Sequence, residues 1–564
     1  MIPSAAPCQT VTERLQWLLE QTPNARACDL VDGDGNSRTI DVQTLLGRAQ
    51  GFARLYGVPA GERKVVGICL YHSLDLLAAF LGAVWAGHIP TMLAPPSPRM
   101  EPAKYADSFR GMLNHLRLGG LVIDSTSREK LDANILDEFP SVRIIEAADA
   151  PSADALPPWR VRPDDIAALQ HTSGTTGLQK GVALSHRAIL THQRIYSQRI
   201  GLNADDVIVS WLPLYHDMGF IACFLTPLLA GAPFVQISPF DWVLRPALLL
   251  NQIHQRKGTL CWLPNFAYNF LASNIRDEDL SSDLDLSSVR AWINCSEPVM
   301  DASHKAFVAR FSEYGVHERQ LSVSYAMAEN VFVVTQTDPG NCRSLTVSRR
   351  GLTDEKRVIP VEVCDADAIV VVSNGPPVGD NKARVQDENG DPLPEGEVGE
   401  IVVRGPHLFT GYFRRDDLTA LCMTPDGWYK TGDLGFLDRG EVFVTGRKKD
   451  LIIIQGRNFY PTDVETVAGS VPGVAPGRVV AFGATDESSG TEQLVVLAES
   501  DDVKGPAKAL ELRIRSAISQ ELGCTASVVR IVPPRYLIKS TAGKIARGDN
   551  KKKWLEAQAA GGAQ

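Results

Sequence analysis

The chain has 564 residues, 44% of them hydrophobic, and a formal net charge of −9. That length accommodates several cores, roughly two to four domains, and the acidic balance excludes a general nucleic-acid binder, which needs a basic surface. Ten cysteines, scattered without a C-x-x-C pair or a Cys/His cluster, suit a reducing cytosol and argue against a structural metal.

In chain order, the opening MIPSAAPCQTVTERL lacks the apolar stretch of a signal peptide. Apolar runs such as Leu76 to Ala86 fall short of the ~20 residues of a membrane helix, so a soluble, cytoplasmic protein with no membrane span is expected. From Thr10 to Arg54 two amphipathic helical patterns flank a strand pair, CDLVD and RTIDV, with DGDGN as the turn. VVGICL reads as a buried strand and LDLLAAFLGAVWAG as a tightly packed helix. Further strand-like segments follow, LGGLVIDS, SVRIIEA, IAALQ, DVIVSWLP, PFVQIS, TLCWLP, VRAWINCS and LSVSYA, separated by helical patterns. This alternation predicts a doubly wound α/β body. Residues 330–445 change texture, with β-branched residues between Gly/Pro/Asp turns, and predict an antiparallel barrel or sheet. A boundary is expected at Lys448–Asp450, with a hinge over 446–450 and a small α+β C-terminal domain over 451–564.

The stretch with the strongest chemical character is HTSGTTGLQKGV, His171 to Val182. Thr172, Ser173, Thr175 and Thr176 alternate with Gly174 and Gly177, and Lys180 follows. IAALQ before it reads as a strand and VALSHRAILTHQRIYSQ after it as a helix, a geometry in which backbone N–H groups and hydroxyls can wrap phosphate oxygens. The spacing fails the pattern G-x-x-x-x-G-K-[ST], so this is a phosphate loop of another kind, with a plain surface loop as the alternative. Five further stretches place polar residues beside glycine or at strand ends. His216 and Asp217 interrupt the apolar WLPLYHDMGF; Asn294 to Pro298 end the strand WINCSEPV; Tyr325 and Glu329 meet at the strand–helix turn SYAMAEN. Asp433 sits on the tight turn of WYKTGDLG, placed to accept from a ribose diol, and Lys544 ends the small-residue loop KSTAGK.

Taken in order, TSGTTGxxKG, YxMAE, YKTGD, GRKKDxIxxxGxNxYPxDVE and STAGK resemble the motifs of the adenylate-forming (ANL) superfamily, over nearly the whole chain. WLPLYHDMGF, SEPV and KDLIIIQGRNFYPTDVE look most like the fatty acyl-AMP ligases within it. Between Glu329 and Glu400 the chain is longer than typical acyl-CoA synthetases, the candidate inserted material being Arg343 to Ser373. In the resembling ligases such an insertion goes with release of the acyl-adenylate to an acyl carrier protein rather than to coenzyme A. The sequence departs from the family pattern at His171, Gln179, Ala326 and Cys295–Ser296; the last two put the shape of the acyl pocket in doubt.

The resemblance implies ATP and Mg²⁺ as cofactors and a fatty or related carboxylic acid as substrate. Thr172, Ser173, Gly174, Thr175, Thr176, Gly177 and Lys180 would hold the departing phosphates, Glu329 would ligate Mg²⁺, and Tyr325, with Ala326 and Met327, would stack on adenine. Ser296, Glu297 and Pro298 would line its slot, and Asp433 and Arg447 would hold the ribose. His216 would orient the acyl carboxylate, Lys544 would bridge it to the α-phosphate, and Lys449 matches the hinge. Met218 to Leu229 is a candidate acyl-pocket wall. The alternatives are an acyl-CoA or aryl-CoA ligase, a variant specialised for one half-reaction, and an adenylate-binding protein without activation chemistry.

Overall fold

The computed structural model describes residues 8–59, 61–96, 102–131, 133–151, 156–171, 180–454, 457–486, 491–500, 507–540 and 544–561. The threonine-rich stretch 172–179 therefore lies outside the described residues, apart from its flanks His171 and Lys180.

Two large sheets form the body. One has eight strands in the order Val333–Gln336, Leu321–Ala326, Ala291–Cys295, Leu260–Leu263, Ile208–Ser210, Phe234–Ile237, Arg26–Val31 and Ser37–Asp41. Its interior pairs are parallel and both edge pairs antiparallel. Parallel strands covered on both faces need apolar side chains on both, which is why IVS, FVQI and LCWL are buried at every position. The second sheet runs Gly411–Tyr412, Gly181–Ser185, Ile166–His171, Ile89–Met92, Val65–Ile68, Gly120–Ile123 and Arg143–Glu146. The helices Val42–Tyr56 and Leu74–Trp85 pack at close range, with Gly82 set against the Ala49 carbonyl where a Cβ would collide. The doubly wound α/β reading holds.

One local expectation needs correction. VALSHRAILTHQRIYSQ reads as one helix after the loop, but Gly181–Ser185 is a fully buried strand antiparallel to Ile166–His171. The helix begins only at His186, where the Ser185 hydroxyl caps it by accepting from the Ala188 N–H. A five-residue apolar run does not distinguish the two periods, and pairing in the sheet decides. The candidate acyl-pocket wall, Met218 to Leu229, folds as buried core. Met218–Leu225 is a π-helix buried on all sides, followed by the helix Thr226–Ala230; apolar all round, it belongs to the main core.

The β-rich segment forms an antiparallel sheet, Lys382–Gln386, Gly399–Arg404, Tyr429–Asp438 and Glu441–Arg447, so of the barrel or sheet expected there the sheet is found. A ribbon, Ser344–Ser348 with Ala368–Val372, carries the short helix Arg349–Thr353; it accounts for the candidate insertion Arg343 to Ser373. Beyond the one-turn Lys448–Asp450 the chain builds a three-stranded sheet, Val479–Asp486, Thr491–Glu499 and Val528–Val532, with helices Pro461–Gly469, Ala507–Leu522 and Arg547–Gly561. This C-terminal lobe has apolar clusters of its own, distinct from that of the body. Among the described residues no helix is long and apolar enough to cross a membrane.

Candidate active site

Parallel strands leave a crevice beyond their carboxyl ends. Here Ala291–Cys295 and Leu321–Ala326 run out into Ser296–Pro298 and Met327–Glu329, and Ile208–Ser210 leads to His216. These stretches line one cavity of about 1210 Å³, to which the lobe contributes Tyr460, Asp463 and Lys544. The other described residues singled out in the sequence, Lys180, Asp433, Arg447, Lys449 and Lys544, open on the same space. Thr172, Ser173, Gly174, Thr175, Thr176 and Gly177 lie outside the described residues.

Three side chains from separate elements meet on one wall. The Tyr325 hydroxyl donates to Asp433 Oδ2 at 2.6 Å, and Arg447 Nε stands 3.3 Å from Asp433 Oδ1. Asp433 and Arg447 face each other because the strands carrying them pair in register. Burial pushes the Asp433 carboxyl above its usual range, opposed by Arg447 and by the Tyr325 hydrogen bond. A carboxylate that keeps one cation and one hydroxyl beside it has a lone pair to offer a diol.

Glu329 lies on the adjoining wall, buried, with Oε1 accepting from the Tyr412 hydroxyl at 2.7 Å. Tyr412 and Tyr429 hydroxyls are 3.2 Å apart, and burial, then the nearby Glu329, pushes both phenols far up, so they stay protonated donors. The Lys180 ammonium sits 4.5 Å above the Tyr412 ring. Among the described residues no group of three or more His, Cys, Asp or Glu side chains could hold a metal alone. A divalent ion at Glu329 would complete its shell with phosphate oxygens and water, the habit of Mg²⁺; the donor set fits that ion.

At the opposite end His216 Nδ1 is 2.7 Å from Asp217 Oδ1, which also accepts from the Met218 N–H at 2.8 Å. Burial pushes Asp217 up, but His216, then the Lys544 ammonium, hold it below its usual range. Lys544 enters from the lobe and donates to the Ser296 main-chain carbonyl. Burial draws its ammonium pKa down, against the pull of Glu297 and Asp217. Ser296 is left-handed, φ 73°, which turns its carbonyl toward the cavity. Glu297 also lines the cavity and accepts from the Phe266 N–H at 2.9 Å, at the start of the helix Asn265–Asn274. His171 bonds Thr91 Oγ1 through Nε2 at 2.8 Å, and burial draws its pKa down to about 4.

Tyr412 and Tyr429 are the site residues missed in the sequence. Tyr412 lies 83 positions from the carboxylate it holds, and its only local signal is a tyrosine after glycine in FTGYF.

Comparison with known proteins gives the same reading. The family model described as AMP-binding enzyme matches residues 15–413. The long-chain-fatty-acid–AMP ligase FadD26 of Mycobacterium marinum is 31% identical, over 96% of this chain and 96% of that protein. The medium-chain-fatty-acid–[acyl-carrier-protein] ligase JamA of Moorena producens is 31% identical over 88% and 86%. A solved chain from structural and functional studies of fatty acyl-adenylate ligases from E. coli and L. pneumophila superposes with a TM-score of 0.90 at 28% identity, covering 98% of both chains. With ordered motifs, two sheets and a lysine-bearing lobe meeting at one cavity, the chain belongs to the AMP-binding enzyme family, the adenylate-forming superfamily of ligases.

Proposed function

We propose that the protein activates a fatty or related carboxylic acid as its acyl-adenylate, with ATP as the nucleotide, and passes the acyl group to the phosphopantetheine thiol of an acyl carrier protein. The observation that carries the first step is the Lys544 ammonium, delivered by the lobe into a cavity that already holds His216, Asp217 and Glu329. The second step is supported by the relative whose name specifies an acyl-carrier-protein acceptor. It is supported too by the ribbon of the candidate insertion, which touches the lobe: Arg349 donates to the Glu521 carbonyl at 3.0 Å.

In the first step a carboxylate oxygen attacks the α-phosphorus, the bond to the bridging oxygen breaks, and pyrophosphate leaves with that electron pair. Positioning and charge stabilisation do most of this work. Lys544 neutralises the charge crowded between carboxylate and α-phosphate, an attraction of about 4 kcal/mol at 4 Å and an effective dielectric near 20. The His216–Asp217 pair orients the acid. Tyr325 packs against adenine, beside the slot of Ser296, Glu297, Pro298, Ala326 and Met327, while Asp433 and Arg447 take the ribose hydroxyls. Lys180, with Thr172, Ser173, Gly174, Thr175, Thr176 and Gly177, holds the β- and γ-phosphates. Glu329 would hold Mg²⁺, which when bound neutralises phosphate charge. Residues 446–450, with Lys449, serve as the hinge about which the lobe, 451–564, withdraws Lys544 before the thiol arrives.

Pyrophosphate release from ATP, measured against acids of graded chain length, tests the first step; a rate unchanged by any acid overturns it. Pre-formed adenylate offered to holo carrier protein and to free coenzyme A tests the second, and efficient thioester formation on coenzyme A would replace the carrier protein as acceptor.

A further inference from the structure

The main chain immediately after Glu329 is strained. Val331 has φ 60° and ψ −55°, and the Phe332 N–H donates to the Asn330 carbonyl at 2.6 Å. This is a γ-turn of the positive-φ kind, a rare conformation for any residue and an outlier for a β-branched one. Such backbone persists only where its surroundings over-determine it, and it gathers at functional sites.

The surroundings here are two imidazoles and an amide from three parts of the fold. His192, on the helix His186–Arg199, accepts the Val333 N–H on Nε2 at 3.1 Å. The Asn330 amide donates to the Val333 carbonyl at 2.6 Å and to His407 Nε2 at 3.2 Å. All three side chains are buried. Two residues past His407, the Phe409 N–H donates to the Glu329 carbonyl at 2.8 Å, and the Phe409 ring lies edge-on to Tyr412, whose hydroxyl holds the carboxylate. Burial draws His407 down to about 4 and His192 well below its usual value, so both rings remain neutral acceptors at ordinary pH. The turn is thus gripped from both sides, and the same strand of chain that grips it also supplies the partner of Glu329.

We propose that His192, Asn330 and His407 are positioning residues: they hold the strained turn 330–332 so that the Glu329 carboxylate is aimed in advance at the metal–nucleotide complex. The proposal rests on the reading of Glu329 as the carboxylate that meets Mg²⁺. A merely structural role would lower stability and leave the metal response alone; a positioning role alters the metal response itself.

The test pairs His192→Leu, which removes the acceptor, with His192→Gln, whose Oε1 can replace it. Thermal melting is followed with ATP in EDTA and with ATP plus Mg²⁺, and the added stabilisation due to the metal is the readout. His192→Leu should lose at least about half of that metal increment while keeping the EDTA response, and its half-saturating Mg²⁺ for pyrophosphate release should rise about fivefold with a smaller change in kcat. His192→Gln should restore both. His407→Leu reads the clamp from the other side if His192→Leu does not fold. Glu329→Gln serves as the control: if it keeps the full metal increment, the reading of Glu329 itself is wrong. If it loses the increment while the leucine variants keep theirs, the positioning proposal is overturned.

Discussion

The two sides of the cavity are built on opposite plans. Glu329 stands on a turn sunk in the main core, tied by main-chain hydrogen bonds and buried side chains on every side. Lys544 stands on a lobe whose apolar clusters include none of the body's residues. The lobe meets the body largely through polar contacts: Lys544 to the Ser296 carbonyl, Asn458 to the Thr353 carbonyl at 3.0 Å, Arg349 to Asp463 at 3.6 Å and Arg457 to Asp354 at 3.7 Å. Polar contacts can be exchanged for water at small net cost, about 0.5–1.5 kcal/mol each, whereas separating an apolar interface cannot be offset that way. These contacts suit the proposed swing: the body's carboxylate is built into the core, and the lobe's ammonium is held by contacts that water can replace.

The largest effect that tests this contrast is loss of the lobe's charge. Lys544→Ala should slow pyrophosphate release by about 10²–10³, the usual cost of one preorganised electrostatic donor. Transfer from pre-formed adenylate to the carrier thiol should keep its rate, because the proposed mechanism withdraws the lysine before that step. Equal losses in both half-reactions would mean that the lysine shapes the whole lobe rather than one step.

A middle-sized effect comes from the lobe's attachment. Burial pushes Asp463 from its ordinary value up to about 6, against the pull of Arg349. If the lobe swings out, Asp463 meets water and its pKa falls back to 3.8. The docked form thus binds the proton more tightly. Docking gains as pH falls through 6 toward 4 and loses that gain above 6, by at most about 3 kcal/mol. Hydrogen exchange in the helix Pro461–Gly469, corrected for intrinsic rates, should be slower at pH 5 than at pH 7.5. In Asp463→Asn the difference should vanish, and its survival there would place the titrating group elsewhere.

The body was far more legible in the sequence than the joint. Its strands announce themselves as short apolar runs closed by turn residues; VRAWINCS ends at Ser296, and LSVSYA ends at Ala326, one turn before Glu329. Strand or helix could not be told for Gly181–Ser185, because five buried residues carry no period. The Tyr412–Glu329 bond and the Arg349–Asp463 pair, made by side chains 83 and 114 positions apart, leave no local trace. What joins them is the path of the chain between sheets, which pattern alone does not specify. The γ-turn at Val331 is illegible for another reason: valine is among the residues least suited to it.

The smallest effect concerns the contact between Lys544 and the body. Lys544 meets Ser296 through a main-chain carbonyl, so the body's half of the contact depends on a left-handed φ of 73° and not on the hydroxyl. Ser296→Gly relieves a conformation that costs an L-residue about 1–2 kcal/mol, and gives back about 0.5–1 kcal/mol through the freer unfolded chain. Stability should change by less than about 1 kcal/mol, on the side of a gain, and pyrophosphate release should stay within about twofold of the parent rate. Ser296→Ala keeps the strain, loses the weak Oγ contacts to the Met218 sulfur at 3.8 Å and the Cys295 sulfur at 3.7 Å, and should leave the rate equally untouched. A tenfold loss in either variant would mean that the serine side chain, rather than the turn of the backbone, receives the lysine, and the division between fixed carbonyl and mobile ammonium would not hold.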